Sequence, residues 1–126
     1  MTTILIVEDE DLLREGVQEF LEMHDFTVVG AGDGVEALQW LQETHIDLVV
    51  TDLVMPKLDG VDFVAKLRQN HPNLPVIVVS GSSNSVIARY GLKSIEIPGA
   101  NASISKPFRS ADLLAKIKEL LGSAAT

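Results

Sequence analysis

Along this chain, short runs that are apolar at every position alternate with longer segments in which apolar residues recur every three or four positions. Ile4-Leu5-Ile6-Val7 has the pattern of a parallel strand covered on both faces. After Glu8-Asp9-Glu10-Asp11, the residues Leu12, Leu13, Val17, Phe20 and Leu21 fall at helical spacing to about His24. Thr27-Val28-Val29 predicts a shorter strand at an edge. Gly32-Asp33-Gly34 then turns the chain, with Asp33 as the N-cap of a helix that puts Val35, Leu38 and Leu41 on one face. Trp40 falls off that stripe and is expected to be partly exposed. A third strand is expected over residues 46–51. Asp59-Gly60 opens a helix through Val61, Val64, Ala65 and Leu67, which ends near Asn70-His71-Pro72. Pro75-Val76-Ile77-Val78-Val79 predicts the fourth strand, and Ser80-Gly81-Ser82-Ser83 follows it. A less regular helix is expected over residues 85–92, while 93–99 match no element. Ala102-Ser103-Ile104-Ser105 is a weak fifth strand running into Lys106-Pro107-Phe108. Leu113, Leu114, Ile117, Leu120 and Leu121 line the last amphipathic helix, with Gly122 as its stop. Strands and helices alternating at this spacing predict an α/β domain, a parallel sheet with helices on both faces. The domain is expected over residues 1–122, with 123–126 a tail or the start of a linker.

Composition narrows the function. At 126 residues and 46% hydrophobic, the chain suits one domain with a single core region and is too apolar for disorder. Eighteen acidic against 10 basic residues leave a formal charge of −8, which argues against binding a phosphate backbone. The absence of cysteine excludes disulfides, thiolate chemistry and cysteine-based zinc sites. No apolar run approaches membrane-spanning length. The opening residues lack the basic and apolar regions of a signal peptide, so a cytoplasmic location is expected.

The informative polar residues share one property. Glu8 and Asp9 follow the first strand, Asp52 the third, Ser80 the fourth and Lys106 the fifth. A parallel sheet brings all of them to one edge, where ligands bind in open α/β sheets. Each alone has a plainer reading: a helix N-terminus favoured by acids, a strand-ending serine, a solvated lysine. Together they form a site. Three carboxylates repel one another, and a divalent cation removes that repulsion. Oxygen-only ligands favour Mg²⁺. With the Lys106 ammonium and the Ser80 hydroxyl alongside, these parts suit attack by the Asp52 carboxylate on phosphorus to form an acyl phosphate.

The motifs Ile4-Leu5-Ile6-Val7-Glu8-Asp9-Glu10, Asp33-Gly34-Val35-Glu36-Ala37-Leu38, Asp52-Leu53-Val54-Met55-Pro56, Asp59-Gly60, Ser80-Gly81 and Lys106-Pro107-Phe108 appear in this order and spacing. In them the chain resembles, from end to end, the receiver domain of two-component response regulators. The resemblance implies a doubly wound, flavodoxin-like sheet of five strands in the order 2-1-3-4-5. It implies phosphoacceptance at Asp52 from a phosphohistidine on a sensor histidine kinase or histidine phosphotransfer protein. Asp9, Asp52 and the carbonyl of Val54 would hold Mg²⁺, with Glu8 acting through water. Ser80 and Lys106 would sense the phosphoryl group, and Lys106-Pro107 would be a cis peptide. The domain would be a switch for a downstream effector with weak autophosphorylation and autodephosphorylation activity. It would act as a monomer or phosphorylation-linked dimer, contacting neither nucleic acid nor membrane.

Two positions depart from the pattern. Ser103 stands where most members carry Tyr or Phe, three residues before the lysine. The interval between Ser80 and Lys106 is also a few residues longer than usual, with the surplus around Lys93-Ser94-Ile95-Glu96-Ile97-Pro98. Three other readings compete. A phosphohydrolase would need a second acid or base beside the nucleophile, and Val54 is neither. A dinucleotide or flavin module would need a Gly-rich loop where Glu8-Asp9-Glu10 repels phosphate. A scaffold that binds without phosphorylation is favoured only by the missing aromatic.

Overall fold

The computed structural model describes residues 2–53, 57–80, 99–105 and 108–125. Five parallel strands form one sheet: β1 Thr3–Val7, β2 Thr27–Ala31, β3 Leu48–Asp52, β4 Val76–Ser80 and β5 Ala102–Ser105. Their order is β2-β1-β3-β4-β5, the doubly wound order expected. Among the described residues four helices pack on this sheet: α1 Asp11–Glu22, α2 Gly34–Glu43, α3 Gly60–Asn70 and, at the C-terminal end, α4 Ser110–Ala125. The helix predicted over 85–92, the unassigned stretch before Gly99, and the Lys106-Pro107 bond lie outside the described residues.

Successive strand residues face opposite sides of a sheet, and here both sides are core. Ile4, Ile6, Leu48, Val50, Ile77 and Val79 pack on one side with Val17 and Leu21 of α1 and Leu113 and Ile117 of α4. Leu5, Val7, Val49, Val76 and Val78 pack on the other with Ala37 and Leu41 of α2 and Phe63, Val64 and Leu67 of α3. The uninterrupted apolar runs of β1, β3 and β4 follow from this double covering. Fully burying one such side chain contributes roughly 1.5–3 kcal/mol, so the sheet's centre is its most strongly held part.

The four helices match their expected places, but each differs from expectation in phase or length. Leu12 was expected on the buried stripe of α1 and is 86% exposed. The stripe is Leu13, Val17, Phe20 and Leu21, and Leu12 lies one residue, about 100°, round the helix from it. Val35 of α2 is likewise exposed. There Gly34, Ala37 and Leu41 face inward, because Gly34 presses on Leu58 so closely that an added Cβ would lie 3.0 Å from the leucine Cβ. In α3 the inward residues are Gly60, Phe63, Val64 and Leu67. Phe63 is fully buried and Ala65 is exposed. Gly122 does not stop the last helix, which continues to Ala125. It lacks the positive φ that makes glycine a helix terminator. Trp40 is half-buried as expected, with its indole N–H donating to the Gly30 carbonyl at 3.1 Å.

At the edge of the sheet where β4 begins, Arg68 of α3 ties down the approach to β5. Its guanidinium donates to the carbonyls of Gly99, His71 and Leu74 and to Asn101 Oδ1. Asn101 Oδ1 also accepts from the Val76 N–H at 2.9 Å. At the opposite edge α3 begins, and Gly60 N–H donates to the Leu53 carbonyl at 2.7 Å. A Cβ at Gly60 would lie 2.6 Å from the Asp52 carbonyl oxygen and 2.7 Å from Leu53 Cα, both main-chain atoms. Gly60→Ala is therefore expected to destabilise the domain by about 1–3 kcal/mol, as other overpacked sites do. At roughly 4 °C per kcal/mol for a domain of this size, the melting temperature should fall by about 4–12 °C. A melt by circular dichroism checks this, and an unchanged midpoint would show that the two backbones are free to part.

Candidate functional site

In the order β2-β1-β3-β4-β5, β1 leads to β2 on one side and has β3 on the other, so the strand order reverses at the β1–β3 boundary. Crevices form at the carboxyl ends of the strands at such a point. The register pairs Val7 with Thr51. The next residue along each chain segment is a carboxylate, Glu8 just beyond β1 and Asp52 at the end of β3. Both continue the alternating stripe of Ile4, Ile6, Leu48 and Val50 that faces α1 and α4. Both are buried, each 6% exposed, while Asp9 is exposed. Glu8, Asp9 and Asp52 each bring a carboxylate oxygen within 4.8 Å of the other two.

The backbone around these groups is pinned. Glu8 N–H donates to the Ala31 carbonyl of β2 at 3.0 Å. Glu8 Oε2 accepts from the Glu10 N–H at 3.1 Å. Asp52 Oδ1 accepts from the Leu53 N–H at 2.8 Å, and the Thr51 hydroxyl donates to the Asp52 carbonyl at 3.0 Å. Beneath the two buried carboxylates lies a small cavity walled by apolar side chains, among them Leu13, Val17, Phe108 and Leu113. A hard cation suits this donor set, which is oxygen throughout, carries three negative charges and contains no imidazole or thiolate.

Of the residues predicted for the site, Glu8, Asp9 and Asp52 are brought together. Ser80 ends β4, one residue beyond Val79, which pairs with Asp52, and Ser80 itself pairs with Ser105 at the end of β5. Val54 and Lys106 lie outside the described residues. Ser103, in place of the family's aromatic, is half-buried in β5 opposite Val78. Phe108 and Gly60 were not singled out as site residues. Both act by packing, which leaves no chemical signature in a sequence.

The loop after β3 is held to α2 by a second contact. Asp33 caps α2, accepting from the Glu36 N–H at 2.8 Å, and its other oxygen pairs with Lys57 Nζ at 3.4 Å. Lys57 has φ of 70°, a left-handed conformation uncommon for a residue with a side chain. The Glu36 N–H is the main reason the Asp33 carboxyl sits below its ordinary value of 3.8; burial opposes the shift and the Lys57 charge adds to it.

Fold and site thus define a doubly wound α/β domain with an acidic, metal-competent crevice at its switch point. Residues 4–118 match the response regulator receiver domain, and the chain belongs to that family, whose members are signalling switches of two-component systems. It is 37% identical over 121 residues to the sensor kinase CckA of Brucella abortus, covering 94% of this chain and 12% of the kinase. It is also 37% identical over 121 residues to the transcriptional regulatory protein CpxR of Escherichia coli, covering 96% of this chain and 50% of CpxR. The chain therefore spans half or less of the length of these relatives. Among solved structures it resembles the response regulator TrrA of Thermotoga maritima in complex with Mg²⁺-BeF, with a TM-score of 0.81 and 26% identity over 95% of this chain and 99% of that one. Among the described residues no helix is long and apolar enough to cross a membrane.

The lowered Asp33 carboxyl has a consequence for stability. A group whose pKa is depressed by folding stabilises the fold above its unfolded value and loses that contribution as pH falls through its folded value. Asp33→Ala is expected to cost about 0.5–2 kcal/mol at neutral pH, as loss of an N-cap does. The gap from the wild type should close as pH drops below 3.8. Urea unfolding of both proteins at pH 7 and at pH 3 checks the sign; a gap that widens in acid contradicts it.

Proposed function

We propose that this domain accepts a phosphoryl group on Asp52 from the phosphohistidine of a sensor histidine kinase or histidine phosphotransfer protein. In the phosphorylated state it presents an altered surface to a downstream effector. The observation that carries this reading is the buried Asp52 carboxylate at the end of β3, grouped with those of Glu8 and Asp9 at the switch point of the sheet. Mg²⁺ is the proposed cofactor, held by Asp9, Asp52 and the Val54 carbonyl, with Glu8 acting through water. When bound, the ion supplies positive charge against the phosphoryl oxygens. Family membership and the Mg²⁺-BeF complex of TrrA support both proposals.

In the proposed reaction an Asp52 carboxylate oxygen attacks phosphorus in line with the phosphorus–nitrogen bond. That bond breaks, the imidazole leaves, and an acyl phosphate remains. The Leu53 N–H bonded to Oδ1 orients the carboxylate, so that little reorganisation is needed at the moment of attack. Lys106 and Ser80 are assigned to the transferred group, as an ammonium and a hydroxyl donor. The domain is a switch, with catalysis limited to weak autophosphorylation from small phosphodonors and weak autodephosphorylation. The net charge of −8 supports a protein partner over direct contact with nucleic acid. A cytoplasmic domain of residues 1–122, monomeric or dimerising on phosphorylation and without membrane contact, completes the reading. Residues 123–126 would form a tail or linker that starts as helical backbone.

Incubation with acetyl phosphate or phosphoramidate and Mg²⁺ should add one phosphoryl group by intact mass, and Asp52→Asn should abolish the gain. A gain that persists in Asp52→Asn places the phosphoryl group elsewhere.

Loss of the phosphoryl group needs a water in line with the Asp52–phosphorus bond. Val54, two residues beyond Asp52, offers that water neither donor nor acceptor. Val54→Asn should therefore hasten decay of the phosphorylated form, by less than the ~10²–10⁴-fold that acid–base assistance brings. Timed intact-mass measurements after removal of the donor check this, and equal half-lives would remove Val54 from the account.

A further inference from the structure

Arg14 is the residue whose placement the proposed reaction does not yet use. It stands in the first turn of α1 and reaches back over the end of β1. Its Nη1 donates to the main-chain carbonyl oxygen of Glu8 at 2.7 Å, and its Nη2 donates to Asp11 Oδ1 at 2.7 Å. The Arg14 side chain is only 18% exposed, although Asp11 is 78% exposed. Both contacts go to oxygens other than the Glu8, Asp9 and Asp52 carboxylates, so the guanidinium occupies none of the metal-competent atoms through them. The peptide between Glu8 and Asp9 is thus gripped at its oxygen by Arg14. One peptide upstream, the Glu8 N–H is gripped by the Ala31 carbonyl.

The fold makes room for this reach. A Cβ on Gly30 would lie 2.5 Å from Gln18 Oε1 and 3.2 Å from Arg14 Cδ, and one on Gly32 would lie 3.7 Å from Nη1. Gly30 therefore leaves β2 low enough for the Gln18 and Arg14 side chains to lie against it, while the approach of Arg14 to Gly32 is an ordinary contact. A planar fork binding two oxygens at once fixes direction as well as distance, which a single ammonium does not.

We propose that Arg14 is a positioning residue for the divalent-cation site: it sets the backbone from which Glu8 and Asp9 project and holds it in register with Asp52. This rests on the Mg²⁺ reading of the acidic crevice. Two physical effects predict opposite signs. As a positive charge, Arg14 repels a cation, so its removal should tighten Mg²⁺ binding. As a clamp, it keeps the carboxylates convergent, so its removal should weaken binding. Loss of partners that orient metal ligands typically weakens affinity by roughly 10–100-fold, and at this contact distance we assign the larger effect to the clamp.

The test is calorimetric titration of the full chain with MgCl₂, for the wild type, Arg14→Met and Arg14→Lys, with melting temperatures measured in EDTA. The expected result is a Kd raised about tenfold or more in Arg14→Met, partly restored in Arg14→Lys, with metal-free melting temperatures alike. A Kd in Arg14→Met equal to or below that of the wild type overturns the proposal. So does a loss that follows a lowered metal-free melting temperature in both variants, which would make Arg14 merely structural. A wild type that binds no Mg²⁺ overturns the metal reading, and this proposal with it.

Discussion

Two carboxylates stand where the strand pattern demands apolar side chains. Glu8 and Asp52 continue the stripes Ile4–Ile6 and Leu48–Val50 that face α1 and α4, and both are buried over an apolar cavity. Burying charge is expensive unless it is paired, and a well-packed domain of this size has little stability to spare. Here each carboxylate accepts from a main-chain N–H, Glu8 from that of Glu10 and Asp52 from that of Leu53, on strands covered on both faces. Breaking the local rule at this point is a mark of function, and such violations cluster at sites in proteins whose patterning is otherwise consistent.

The rest of the site edge is built to keep those two strand ends in place. α3 begins against β3 so closely that only glycine fits at position 60. Leu58 fills the space over Gly34, and Lys57 reaches the Asp33 cap, so the loop after β3 is tied to α2 as well. On the other side Arg14 joins α1 to the end of β1. Three helices thereby meet the crevice through backbone or near-backbone contacts. At the far edge of the sheet Arg68 anchors Gly99 and Asn101, so the approach to β5 is fixed where it is farthest from the crevice.

Ser103 gives this receiver domain a different β5 from the one its family resemblance implies. The residue is half-buried, opposite Val78. A hydroxymethyl group at that position has neither the volume nor the lever arm of an aromatic ring. Phe108, by contrast, packs under the carboxylates with Leu13 and Leu113. An aromatic is thus present beside the crevice, contributed from beyond the end of β5.

Residue order by itself determined the succession of strands and helices among the described residues, the parallel sheet, and the gathering of Glu8, Asp9 and Asp52 at one edge. These follow from period and position: a run apolar on both faces must be covered on both faces, and strand ends in a parallel sheet share an edge. The cap at Asp33 was legible because its chemistry is local, a carboxylate three residues before the N–H it accepts from; Asp59, read only as part of a helix start, caps α3 in the same way. Tertiary structure decided which way each helix faced. Leu12 and Val35 were expected inside and lie outside, whereas Phe63 lies fully buried. A helical stripe read from sequence is uncertain by one residue, about 100° of rotation, until close approaches such as Gly34 on Leu58 set the phase. Gly122 looked like a stop, but its backbone stays helical. The roles of Arg14, Gly60 and Arg68 were invisible for a related reason. Each acts on main-chain oxygens or a main-chain Cα brought near only by the folded sheet, and a main-chain atom is the same at every position in a sequence.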